Sequence, residues 1–147
     1  MNNIEQEKWD FITALEDELL LGGVILSEWS SFLARDAMTA WCSGANLAAI
    51  LSAQAAVESH LRYEYFGPKQ SKGWGLYRML HEAPIEADLL LTLHKLRKFR
   101  NRWVHVDDPA NDQDLLERPE YHESEIDEMA KLAIKSMMQI LYSEQWL

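Results

Sequence analysis

Between His94 and His105 the chain reads His-Lys-Leu-Arg-Lys-Phe-Arg-Asn-Arg-Trp-Val-His. Five bases fall in this stretch (Lys95, Arg97, Lys98, Arg100 and Arg102), and no acid occurs between Asp88 and Asp107. Three of its residue types suit phosphate-ester chemistry. Arg100 offers a permanent fork of donors to phosphate oxygens and to charge that builds on them. His105 carries an imidazole, which can exchange protons with a hydroxyl or a leaving oxygen. Asn101 could orient that imidazole or hold an oxygen. No metal is needed for this chemistry, and no metal site is expected elsewhere, because no histidine pair has zinc-ligand spacing. A plainer reading stands beside this one. Bases in the last turns of a helix interact favourably with its dipole, and the acids at 107–128 could neutralise them.

The elements that must position these residues read as helices. No run alternates with a period of two, so an all-α domain of about five or six helices is expected, built as a bundle. Asn3 is the expected N-cap of the first helix, which Gly22-Gly23 ends. Ser27 caps a second, with Trp29, Phe32, Leu33, Ala37 and Trp41 on its inward side. Ser43-Gly44 can break this helix, kink it or be crossed. Residues 45–66 read as a long Ala-rich helix with a stripe of Leu47, Leu51, Leu61 and Tyr65. Gln54 and Glu58 fall on that stripe, so Glu58 either sits at the edge of the core or is held there for a purpose.

Gly67 to Gly73 is a turn, 74–83 a short helix, and 85–105 a helix striped by Leu89, Leu93, Leu96 and Trp103. His94, Lys98, Asn101 and His105 lie close in angle on its other flank. Arg100 and His105 are about 140° apart on an ideal helix, so a shared site needs a local break or a second subunit. Residues 106–122 read as an acidic loop, and a last helix opens at Glu123 or Ser124.

Composition bounds the function. The 147 residues suit one domain, and 14 bases against 24 acids leave a formal charge of −10. A broad nucleic-acid-binding surface is thereby excluded, so any phosphate site must be local. The one cysteine, Cys42, is expected to be a small buried apolar residue. With no signal-like N-terminus and no apolar run of membrane-spanning length, a cytoplasmic protein without membrane contact is expected.

The segment from Leu96 to His105, with Arg100-Asn101 followed by His105, resembles the signature of the HEPN superfamily, the "higher eukaryotes and prokaryotes nucleotide-binding" domains. Ala48 to Arg62 is similar to the long early helix of those domains. The resemblance covers about residues 45–142 and leaves 1–42 as a helical extension. It implies an all-helical, commonly homodimeric fold in which two motifs meet at a cleft. It also implies metal-independent ribonuclease activity without cofactors, in defence, toxin–antitoxin or RNA-processing settings. Arg100, His105 and Asn101 would then be catalytic. Arg97, Lys98, Arg102 and Glu58 would assist in substrate binding. Val106 stands where some toxin members carry a Tyr, so the nucleotide-modified subgroup is not implied.

Two expectations follow. One is an RNA-cleaving enzyme that works by 2′-hydroxyl attack, with RNA and a protein antitoxin or regulator as partners. The other is a non-catalytic dimeric interaction module, favoured by the net charge and the acidic 107–128 stretch.

Overall fold

The computed structural model describes residues 1–146, and they form five long helices with three short ones between them. The long helices are α1 (Asn3–Leu19), α2 (Glu28–Cys42), α3 (Asn46–Leu61), α6 (Ala87–Val104) and α8 (Pro119–Leu141). A π-helical turn over Arg62–Phe66 continues α3, and α4 (Gly67–Gln70), α5 (Leu76–Glu82) and α7 (Gln113–Glu117) are short. No strand forms among the described residues beyond one isolated bridge between Gly23 and Trp146. The expected all-α bundle is the fold. No helix among the described residues is long and apolar enough to cross a membrane.

Local signals set the boundaries. Asn2, rather than Asn3, caps α1 by accepting the Glu5 N–H at 2.7 Å. Ser27 caps α2 as expected, accepting from Ser30 N–H at 3.1 Å. The helix breaks after Cys42, where Gly44 turns the chain at φ +89°, a conformation that suits a residue without Cβ. The last helix opens at Pro119, several residues before Glu123, because Pro is pre-shaped for a first helical turn. The expected loop before it is partly ordered. Asp114 in α7 binds Arg118 at 2.9 Å and His122 at 2.6 Å, and these partners hold its carboxyl down at about 2.

Pairwise bonds give the helix directions. Lys8 of α1 donates to the Trp41 carbonyl at the end of α2, and Ser30 of α2 donates to Ser59 of α3, so α1–α2 and α2–α3 are antiparallel. Asn46 reaches Asp127 while Tyr65 reaches Glu144, so α3 and α8 run parallel. Arg102 of α6 meets Glu125 of α8, setting α6 against both. Helix α3 lies at the centre, touching α2, α8, α6 and α5.

One core runs from Ile12 to Leu141, so residues 1–42 contribute to the same interior as residues 45–142. The inward row of α2 is Ser30, Ala34, Ala37 and Trp41, with Cys42 beside it. Trp29 and Phe32, expected inward, are 78% and 53% exposed. The cause is α3, whose Ala49, Ala53 and Ala56 are fully buried and require small partners for close approach. Trp41 is buried, with Phe11 edge-on against its ring. The inward face of α3 is likewise rotated from the expected stripe: Ile50, Val57 and His60 are buried, while Leu51 is 42% exposed. Gln54 is buried in the core, and Glu58 stays half-buried at its edge.

The chain end clasps the α1–α2 connection. The Gln145 amide accepts from Leu21 and Gly22 N–H at 2.9 and 2.8 Å and donates to the Leu19 and Tyr142 carbonyls at 2.7 Å each. Gly23 exchanges backbone bonds with Trp146, and a Cβ on Gly23 would collide with the Trp146 ring. Gln145→Ala should therefore lower unfolding stability by about 1–3 kcal/mol, since it strips several backbone partners at once. Urea denaturation checks this, and an unchanged midpoint would contradict it.

His60 is fully buried with neither ring nitrogen bonded. Burial holds its imidazole below the ordinary value of 6.5, with Glu144 pulling weakly the other way. The unfolded chain binds this proton more readily than the folded one, so stability present above pH 6.5 is lost as pH falls below it. His60→Leu should flatten the fall in melting temperature from about pH 7.5 to about pH 5.5. Some slope should remain, because His94 is depressed in the same direction. Equal slopes in variant and wild type would rule out His60 as the cause.

Candidate anion site at the end of helix α6

Helix α6 begins at Ala87, where the Glu86 side chain caps it by accepting from Asp88 and Leu89 N–H at 3.0 and 3.1 Å. Leu93, Leu96 and Phe99 bury its inner side. It ends at Val104. His105 is the C-cap, with a non-helical backbone (φ −119°, ψ 62°) and its N–H on the Asn101 carbonyl at 3.0 Å. The local break therefore falls at the residue whose angular offset from Arg100 stood against a shared site. The His105 ring is exposed and makes no hydrogen bond among the described residues.

Arg100 is half-buried at the opposite edge of α6, towards α3. Its guanidinium donates to Asn101 Oδ1 at 3.2 Å, while its Nε is buried without a partner. It lines an apolar cleft of about 100 Å³ with Leu47, Ile50, Leu51, Phe99, Trp103 and Val104. That volume is well below the few hundred Å³ of small-molecule pockets, so the cleft is a seat for a side chain rather than a ligand cavity. One turn further along α3, Gln54 also buries both amide atoms without a partner. Unpaired buried polar atoms are costly, and Trp41, Asn46 and His60 carry others elsewhere among the described residues.

Carboxylates do not neutralise this region. Among the described residues the ion pairs are Arg35–Asp36, Arg102–Glu125, Arg118–Asp114 and His122–Asp114. Among the described residues, Arg97, Lys98 and Arg100 have no acidic partner, although the chain carries 24 acids. Arg102 differs: it is committed to Glu125 at 2.9 Å and lies over the Phe99 ring. Glu58 makes neither an ion pair nor a hydrogen bond to Arg100. Arg100 and Asn101 are thus brought together, His105 stands at the adjoining helix end, and Glu58 is left apart.

Other residues join the cationic face from α5. Tyr77 packs against His94 with ring centroids 5.6 Å apart, and the Arg97 guanidinium lies 4.9 Å from the Tyr77 centroid. His81 lies nearly parallel to Tyr77 at 6.3 Å. The spacing Tyr77 to His81, one helical turn, was a signal available in the sequence for this group. Gln54 was visible only as a polar residue on an apolar stripe.

No family model matches this chain, and no curated protein or solved structure is significantly similar to it.

Proposed function

We propose that this protein is a metal-independent ribonuclease of the HEPN type, acting at Arg100, Asn101 and His105. The observation that carries the reading is Arg100, a partly desolvated cation with a buried unpaired donor and no carboxylate partner. Such a charge favours an anion, and a phosphodiester fits the guanidinium fork.

In the reaction, the ribose 2′-oxygen bonds to phosphorus as its proton passes to an imidazole. The bond from phosphorus to the 5′-oxygen breaks, and that oxygen takes a proton. The products are a 2′,3′-cyclic phosphate and a 5′-hydroxyl. His105 serves as base or acid, and Arg100 stabilises charge on the non-bridging oxygens. Asn101 holds the guanidinium through its side-chain oxygen. Arg97 and Lys98 draw in the strand, whereas Arg102 acts mainly on Glu125.

A homodimer completes the proposal. Leu51 and Val104, which line the Arg100 cleft, are 42% and 44% exposed. A second copy laid on this apolar rim would bring a second His105 to the site, so that one imidazole could serve as base and the other as acid. The same rim supports the second reading, a non-catalytic dimeric scaffold or one half of a regulatory pair.

The test is incubation of purified protein with RNA in excess chelator, beside Arg100→Ala and His105→Ala. The wild type should cleave, and each variant should lose about 100-fold or more in rate with its melting temperature kept within a few degrees. Equal cleavage by all three proteins, or none by the wild type, would overturn the enzyme and leave the dimeric module.

A further inference from the structure

Tyr77 and His81 of α5 with His94, Arg97 and Lys98 of α6 form a second cluster, and its α6 members lie within two turns before Arg100. Tyr77 is 58% exposed although it sits among other rings and a guanidinium. Arg97 donates to His94 Nδ1 at 3.5 Å rather than to an acid. His94 is held below the ordinary imidazole value by burial and then by Arg97, Lys98 and His81. No carboxylate is among the groups acting on it. An exposed tyrosine with one guanidinium over its ring and two imidazoles beside it, none of them in an ion pair among the described residues, combines the two components of single-strand recognition. The ring offers a surface for a base, and the cations take its phosphate.

Position supports the same assignment. His94, Lys98, Asn101 and His105 recur at helical spacing along the outer side of α6. The rise from His94 to Asn101 is about 10 Å, so the cluster and the Arg100 site lie along one continuous path. No acid interrupts α6 between Asp88 and its end.

We propose that this cluster is a non-catalytic subsite that stacks a base of single-stranded RNA on the Tyr77 face and holds the attached phosphate with Arg97 and Lys98. It would fix the strand beside the Arg100–His105 site. The inference rests on the RNA reading of that site and adds α5 to it.

The test measures binding apart from cleavage. Fluorescence anisotropy of a short fluorescein-labelled single-stranded RNA is recorded on His105→Ala protein, then with Tyr77→Leu or Arg97→Ala added. Each added change should weaken binding by roughly tenfold, the scale of one stacked base or lost phosphate contact. In the active protein the same two changes should raise KM and leave kcat within about twofold, because they remove binding common to ground and transition states. Arg35→Ala, on the exposed face of α2, controls for the loss of one positive charge.

Unchanged affinity in both variants, while wild-type protein cleaves RNA, would overturn the subsite and spare the ribonuclease. RNA binding that depends on Tyr77 and Arg97, in a protein that never cleaves, would support the subsite and overturn the ribonuclease. An equal loss from Arg35→Ala would reduce the effect to overall charge and overturn the subsite. No RNA binding at all would overturn both.

Discussion

Helix α3 is enclosed by α2, α8, α6 and α5, and a row of small residues along it allows the closest approach. Ala49, Ala53 and Ala56 let backbones approach closely along one row of α3, while Ile50, Val57, His60 and Leu61 fill the interior beside that row. That demand propagates outward. It calls for Ser30, Ala34 and Ala37 on the facing row of α2 and turns Trp29 and Phe32 to the surface. It also fixes the wall against which α6 rests. Arg100 meets Leu47, Ile50 and Leu51 of that wall, and the position of its guanidinium depends on how α3 is held.

The cationic face of α6 follows from this constraint. Its inner side is anchored by Leu93, Leu96 and Phe99, and every base must lie to either side of that row or opposite it. One edge, towards α8, carries Arg102 and finds Glu125. The opposite edge, towards α3, carries Arg100 and finds apolar carbon and Asn101. Between them, Arg97, Lys98 and the two histidines face outward or towards Tyr77. A chain of net charge −10 thus keeps one face free of acids, and this concentrates its attraction for anions in one place.

Much of this was legible in the sequence. The fold class and the run of helices followed from apolar periodicity, the Ser27 cap and the punctuation by Gly and Pro. Arg100, Asn101 and His105 stood out by type and spacing. What escaped did so for physical reasons. Large aromatic residues such as Trp29 look like core anchors, yet a neighbouring helix rich in alanine excludes them. The start of α8 was placed late because Pro119 reads as a breaker in isolation and as a first helical residue in context. The pairing of Tyr77 with His94 joins two helices, and no single-helix pattern contains it.

The central claim is that Arg100 and His105 receive one phosphate of an RNA strand. Its most direct test is nuclear magnetic resonance of the Arg100 Nε–H and the His105 ring during titration with an RNA made uncleavable by a single 2′-deoxy substitution. The account predicts that both signals move together with one affinity, the Arg100 Nε–H shifting as its unpaired donor gains an oxygen. RNA that binds while both signals stay fixed would contradict it.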